Sequence, residues 1–475
     1  MKVSKRKIRK IFYIIISVIL MLSVFLNTYL LLKYNVLPFK YLMIYFLLVG
    51  LIPILLTFFT VFKKLKPYIR RIFIGIEIIY IIILCLVFFY LNKTFSFLDD
   101  FTDGFDYETK NYYVLVNNES DYENVSDLKN KTLGYAHNLD NSIDKALDEL
   151  NKKIDLKQKE TDGFGTLFDQ LYNDELESVL IVQSFYDMLS ESDETLKNNT
   201  KIVYKFSIKE KTNAITKDVD VTKETFNVYL SGIDSYDSVT DKTRSDVNII
   251  ASINPNTHKI LLINIPRDYY VELDGIGQKD KLTHAGLYGV EMSTKTIENL
   301  LDIEINYYLK LNYNALIDLV DALDGVDVYS NHKFTSGQLY HHFNVGYNHV
   351  NGEQALEFVR TRKAFLDGDR VRGENQQAMI KAIIAKACSA DILIKYDDIL
   401  NSLKGSFVTN FATEKITSLI NMQLDTMPNW EIESISLNGS DSYGLTYTYA
   451  AQELYVMIPN EDTIETAKKA LQALK

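Results

Sequence analysis

FNVYLSGIDSYDSVTDKTRSDVNIIASINPNTHKILLINIPRD, residues 226–268, contains three runs rich in β-branched and aromatic residues. Residues 226–233 read as one strand, closing with Gly232 and Asp234. Residues 247–253 read as a second strand and 259–265 as a third. The five residues NPNTH at 254–258 read as the turn of an antiparallel hairpin. Pairing through that turn sets Ile253 against Lys259 and Asp246 against Pro266, so Asp246 and Arg267 meet at one end of the sheet. Asp234 leaves the first strand at the same end. Two carboxylates beside an arginine suit a hard divalent cation, Mg2+ (or Mn2+), that bridges phosphate oxygens. The plainer alternative is an Asp–Arg ion pair at a sheet edge.

Beyond residue 268, strand and helix signals alternate. Ser293 reads as the cap of a helix to about Leu301, residues 305–311 as a strand, and 314–323 as a helix closed by Gly325 before a strand at 326–329. Residues 461–474 read as a final amphipathic helix. The expected class is α/β, with helices packed on a sheet in a sandwich. Within it, EFVRTRKAFLDGDRVRGENQQAMIK (residues 357–381) gathers Arg360, Arg362, Lys363, Arg370 and Arg372. If residues 358–362 are extended, Arg360 and Arg362 share a face. Arg372 and Gln376, four apart at a helix start, share another. Guanidinium groups near a helix N-terminus hold phosphate through bidentate forks and the helix dipole. Lys363 and Arg370 fall out of step with both faces. The alternative is a solvated loop whose arginines pair with Glu357, Asp367, Asp369 and Glu374.

Towards the N-terminus the character changes. Residues 11–32, 41–62 and 72–91 are apolar runs of the length needed to cross a bilayer as helices, and Glu77 is the one charge in the third. Lysines and arginines crowd residues 2–10 and 63–71, which places both inside and everything after residue 91 outside the membrane. Residues 1–100 hold 14 Lys and Arg against 3 Asp and Glu, whereas the whole chain carries a net charge of −11. The remainder is therefore strongly acidic, which excludes a general nucleic-acid binder. Cys85 lies in the third apolar run and Cys388 in an expected helix, so no disulfide is expected. Residues 96–222 alternate strands (112–116, 178–182) with helices (142–150, 164–171) and read as a small accessory α/β domain, before a catalytic domain over 223–475.

The motifs SGIDSYD (231–237), RSDVNII (244–250), INIPRD (263–268), KLTHAGLYG (281–289) and VRTRK with GDRVRGENQQ (359–363 and 368–377) together resemble the LytR–CpsA–Psr family. Three spans and an accessory domain resemble its capsule-operon CpsA type. The resemblance implies a phosphotransferase outside the membrane. It would move a glycopolymer, capsular polysaccharide in this type, from an undecaprenyl-pyrophosphate carrier to peptidoglycan. By the same resemblance Arg267, Arg360, Arg362, Arg372 and Gln376 bind the pyrophosphate, and Asp234 and Asp246 hold Mg2+. Asp246, Arg267 and Arg362 would serve catalysis, and the lipid tail would lie in an apolar slot between sheet and helices. The implied partners are the lipid-linked glycan, peptidoglycan, the bilayer and capsule-assembly membrane proteins, with no nucleic acid. Asn375 stands where many members carry another arginine, which the resemblance marks as a weakened phosphate contact.

Two further classes compete. A polyprenyl-pyrophosphate phosphatase would use the same cradle with water as acceptor. A membrane regulator of capsule synthesis would act through a partner, because residues 1–10 and 63–71 are too short for a helix-turn-helix unit. His341, His342 and His349 lack the spacing of a metal site, and His284 reads as a structural hydrogen-bonder.

Overall fold

The computed structural model describes residues 5–103, 107–137, 140, 142–211, 217–233, 238–389, 405–449 and 452–475. The chain divides into two compact units: Met1–Asp103 with Asp220–Glu224 and Phe411–Asn429, and Gly104–Val219 with Thr225–Asn410 and Trp430–Lys475.

The first unit holds three apolar helices, α1 (Lys5–Tyr34), α2 (Phe39–Phe62) and α3 (Pro67–Asp103). Each contains a stretch long and apolar enough to cross a membrane: Ile8–Tyr34, Phe39–Phe62 and Pro67–Ser96. Their outward positions are apolar, as at Val18, Ile79 and Phe89. The polar groups turn inward and satisfy one another. Glu77 of α3 is fully buried and accepts from Thr60 of α2 at 2.8 Å and Ser17 of α1 at 3.2 Å. A carboxyl in an apolar helix is tolerated because hydroxyls from both neighbours reach it. The helix Thr413–Thr426 belongs to this unit, and Asn421 donates to the carbonyl of Asn35 at 2.8 Å.

The second unit contains two sheets. The first has five strands: β1 (Tyr107–Asn117), β2 (Thr132–Tyr135), β3 (Lys157–Glu160), β4 (Ser178–Val182) and β5 (Thr200–Lys211), in the order β3-β2-β4-β1-β5. Helices α4 (Ile143–Asn151), α5 (Gly163–Tyr172) and α6 (Gln183–Ser192) cover it, burying Leu147, Leu150, Leu167 and Phe185. The twelve-residue β5, TKIVYKFSIKEK, was not anticipated from the sequence, although its outer half alternates in exposure.

The second sheet has six strands. β6 (Phe226–Gly232), β7 (Val247–Asn254) and β8 (Lys259–Asn264) form its centre, flanked by β9 (Tyr307–Leu311), β12 (Phe407–Thr409) and β13 (Glu431–Ser436) in the order β12-β9-β6-β7-β8-β13. The hairpin exists, with a register one step from the expected one. Asn254 pairs with Lys259 and Ile253 with Ile260, so Asp246 extrapolates to Arg267 and not to Pro266. The cause is a four-residue loop: Asn254 Oδ1 accepts the N–H groups of Asn256 and Thr257, and His258 turns into the left-handed region at φ 55°.

Alternate residues feed the two faces of this sheet. Tyr229, Ile250, Ile263 and Tyr308 pack against α7 (Val290–Leu301) and the last helix, α11 (Glu461–Leu474). Val228, Leu230, Ala251 and Leu309 face α8 (Tyr313–Ala322) and α10 (Gly368–Ala387). Beside these helices, α9 (Gly352–Arg360) and the pair β10 (Val326–Ser330) and β11 (Gly346–Val350) enclose a small core around Phe334 and Phe358. The result is an α-β-α sandwich. Helix α7 starts at Val290 behind Gly289, whose φ of 111° favours glycine, so Ser293 is a buried interior residue and not the cap.

Candidate functional site

Asn351 and Gln354 form a reciprocal capping box that starts α9, which then runs through Arg360. Residues 358–360 are therefore helical and not extended, and the chain leaves the helix at Thr361. Helix α10 begins at Gly368, which places Arg372 in its second turn and Gln376 one turn further along the same side. Gly373 lets α10 approach β8 closely, since a Cβ there would lie 2.3 Å from the Asn264 amide nitrogen. Gln377 fixes the contact by donating to the carbonyls of Leu262 (3.2 Å) and Ile435 (2.9 Å).

These elements bring Arg360, Arg362, Arg372, Gln376 and Asp246 around a chamber of about 110 Å3. Arg267 stands at its edge, with Nη1 3.0 Å from Asp246 Oδ2. Arg360 lies over the Tyr313 ring, 4.2 Å from its centroid, and donates to Gln338 at 3.4 Å. Arg372 is 8% exposed, and Arg362 is more open. Sequence reasoning treated Asp369 only as a loop counter-ion. It lies 3.0 Å from Arg372 and 3.7 Å from Arg362, holding the two guanidiniums together. Its spacing of three from Arg372 on a helix was the available signal. Lys363 is exposed, and Arg370 lies outside the chamber, half exposed on the wall of the adjoining polar cleft, with Asp367 at 3.0 Å. Asn375 is buried and donates to the carbonyl of Phe358 at 3.1 Å, tying α10 to α9.

The electrostatics favour an anion. Burial and then Arg267 push Arg372 below its ordinary value, because two buried cations repel. Burial opposes the Asp246 carboxylate, but Arg267, Arg244, Arg372 and the Thr283 hydroxyl outweigh it and hold its pKa well below the usual carboxylate range. Arg267 Nε, 3.4 Å from the Asp268 carboxylate, and Asp246 Oδ2, 3.0 Å from Arg267 Nη1, are buried atoms in ion pairs but without an aligned hydrogen bond. A phosphate oxygen would satisfy the first, and a hard cation the second. Asp234 lies outside the described residues. Among those described, no three His, Cys, Asp or Glu side chains converge.

The chamber shares wall residues with two neighbouring spaces. Through Gly232, Val247, Leu316 and Val359 it meets an apolar cavity of about 300 Å3 between the sheet and helices α8 and α10, lined farther in by Ala251, Ala315 and Ile383. Small residues at positions 251 and 315 leave this space unfilled. Through Asp246, Arg372 and Gln376 the chamber meets a polar cleft of about 460 Å3 whose far wall includes Asn438, Asp441 and Asn460. That C-terminal wall gave no signal in the sequence.

The histidines play no part in the chamber. His284 Nδ1 is 2.6 Å from Asp280 in the core, His342 pairs with Thr335 at 2.8 Å, and His349 pairs with Asp327 at 2.9 Å. Cys85 and Cys388 are not joined in a disulfide.

A family model described as the LytR_cpsA_psr family matches residues 179–471. The chain is 33% identical to a protein of Bacillus anthracis named polyisoprenyl-teichoic acid–peptidoglycan teichoic acid transferase TagU, over 54% of this chain and 84% of that one. It is also 33% identical to the Bacillus subtilis transferase TagT, over 54% of this chain and 79% of that one. The crystal structure of B. subtilis TagV is 28% identical, with a TM-score of 0.45 over 53% of this chain and 97% of that one.

Proposed function

Because this chain belongs to the LytR–CpsA–Psr family, we propose that it transfers a glycopolymer from a polyprenyl-pyrophosphate carrier to peptidoglycan outside the membrane. One observation carries the reading: an apolar cavity, an arginine chamber and a polar cleft lie side by side, each sharing wall residues with the next. A lipid-linked glycan has the same three parts in the same order. The names of the TagU and TagT relatives, which specify a polyisoprenyl-linked donor and a peptidoglycan acceptor, support it. Undecaprenyl is the expected carrier and capsular polysaccharide the expected glycan.

In this reading the lipid occupies the apolar cavity and the pyrophosphate sits among Arg267, Arg360, Arg362, Arg372 and Gln376. A hydroxyl oxygen of peptidoglycan in the cleft bonds to the phosphorus bearing the glycan. The bond from that phosphorus to the bridging oxygen breaks, polyprenyl monophosphate leaves with the electron pair, and the hydroxyl proton is released. Preorganised guanidiniums stabilise the charge gathering on the leaving phosphate. Asp246, with Asp234, would hold Mg2+, which when bound neutralises phosphate charge. The lysines and arginines at residues 2–10 and 63–71 support an orientation with those segments in the cytoplasm and the residues after α3 outside.

The test is to incubate full-length protein in detergent with Mg2+, lipid-linked glycan and peptidoglycan oligomers. A covalent glycan–peptidoglycan conjugate with release of polyprenyl monophosphate is expected. Released glycan phosphate without conjugate would make the protein a phosphatase instead.

A further inference from the structure

The segment leading into Asp246, SVTDKTRSD at 238–246, has a single apolar residue to bury, Val239. Such a loop cannot order itself, because it offers too little apolar surface to offset its backbone entropy. Its end is held within the larger sheet, where the Ser245 N–H donates to the carbonyl of Thr283 (3.1 Å) and the Asp246 N–H to that of Gly232 (2.8 Å), but its middle takes its order from the five-stranded accessory sheet. On its β4 side, β1 runs on past its partner, whose pairing ends at Tyr112. Residues 240–242 take the vacant place. The Thr109 N–H donates to the carbonyl of Thr240 (2.8 Å), the Lys242 N–H donates to that of Thr109 (3.0 Å), and Asn111 donates to the Asp241 carboxylate (3.0 Å).

Below this graft lies a buried cluster in which three carboxylates balance three ammonium groups. Accessory Glu108 faces Lys242 (4.0 Å) and Lys310 (3.9 Å), and accepts the N–H of Val290 at the start of α7 (3.1 Å). Glu210 takes Lys242 (2.9 Å) and lies 3.6 Å from Lys110, which pairs with Asp140 (2.6 Å). Lys310 also donates to the Asp241 carbonyl (2.7 Å). A glycine-bearing segment closes the other side. A Cβ on Gly286 would lie 2.5 Å from the Thr243 carbonyl, and one on Gly289 would lie 2.5 Å from the Glu108 carboxylate. Finally Arg244, two residues before Asp246, meets Glu191 of accessory helix α6 in a two-pronged pair, at 2.8 and 3.0 Å.

We infer that the accessory sheet of this chain is a positioning element for Asp246, with Glu108 and Glu191 as its positioning residues. The inference rests on the transfer reading for its kinetic consequence, but not for its structural one. Buried charges that pair in only one arrangement fix orientation more than they stabilise. The alternative is ordinary packing between neighbouring layers, which would make the same variants unstable without touching turnover.

Two variants of the full-length protein separate these cases. Glu191→Ala removes an exposed side chain that lines neither the chamber nor the cleft and leaves the core intact. Glu108→Gln keeps an acceptor for Val290 while deleting the charge that faces Lys242 and Lys310. Hydrogen exchange of residues 240–245 should speed up in both, without any turnover being needed. At saturating lipid-linked glycan, kcat should fall about fivefold in Glu191→Ala and at least about tenfold in Glu108→Gln, with KM for the lipid donor unchanged. Glu191→Asp should recover part of the loss. Unchanged exchange in Glu191→Ala overturns the inference, as does wild-type kcat accompanied by a lower melting temperature. Should Glu108→Gln fail to fold, Glu191→Ala decides alone. A wild-type protein that transfers nothing, yet whose loop is deprotected by both variants, would retire the transfer reading and leave the bracing in place.

Discussion

Arginine 362 is the sharpest single probe of the chamber. It lines the cavity next to Arg372 with Asp369 between them, whereas Arg370, two residues before Arg372, lies half exposed at the polar cleft and pairs with Asp367. Losing one preorganised donor to a leaving phosphate costs about 100- to 1000-fold in rate. Arg362→Ala should show that loss, and Arg362→Lys should come close to it, because a lysine keeps the charge without the planar fork. Arg370→Ala should stay within a few-fold, since an exposed ion pair contributes about 0–1 kcal/mol. Transfer rates of the three side by side rank the chamber, and an Arg370→Ala worse than both others would dissolve it. Asp246 carries a pH prediction. Its folded pKa is depressed, so its charge is complete above the ordinary carboxylate value of about 3.9 and is lost only as the pH falls through the lower folded value. Asp246→Asn should therefore lower the pH–rate curve at every pH from 5 to 8 without changing its shape. A limb that disappears in the variant would assign Asp246 a titration it should not have.

At the scale of elements, the apolar cavity lies on the sheet face formed by β6, β7 and β9 beneath α8 and α10. Its cavity survives because Ala251 and Ala315 are too small to fill it. Ala251→Phe places an aromatic residue on a strand, where it is well tolerated, and occupies the space. The melting temperature should hold or rise, while KM for a long-chain polyprenyl donor increases by about tenfold or more if two or more buried methylenes of the lipid are displaced. A donor with a short lipid should be used as before. Equal damage to both donors would mean that the cavity is not the lipid's path.

Across the whole molecule, the buried charges between the five-stranded and six-stranded sheets set the response to acid. Burial opposes the Glu210 carboxylate, but Ser142, Lys242 and Lys110 outweigh it and hold its pKa at about 2. The unfolded value is about 4.3, so the stabilisation is present above that pH and is lost as the pH falls from about 4.3 towards 2. Glu210→Gln should thus melt below the wild type at pH 7, and the gap should close across that window. A gap that stays constant down to pH 2 would place the effect in packing alone. Topology is tested at this scale too. Protease added to intact protoplasts should digest epitopes beyond residue 107 and spare the N-terminus, and a protected C-terminus would reverse the orientation read from the basic residues.

Local chemistry wrote much of this into the chain. Three apolar runs became three helices, because about twenty apolar residues in a row leave few alternatives. Alternation and turn residues marked β6, β7 and β8, and four residues of spacing put Arg372 and Gln376 on one side of α10. The family was legible from ordered motifs, and the arginines from their crowding in an acidic chain. What failed locally failed for identifiable reasons. The hairpin register depended on a side chain, Asn254, closing its own loop, and the helical path of residues 358–360 on a capping box that starts at Asn351. Neither is visible from the residues concerned. The remainder belongs to tertiary structure alone: Asp369 as the bridge between two arginines, the wall formed by Asn438 and Asp441, and the hold of Glu108 and Glu191 on a loop more than fifty residues further along the chain. Pairings of that kind leave no periodicity in either partner, because each residue's neighbours are chosen by the packing of sheets and not by its place in the sequence.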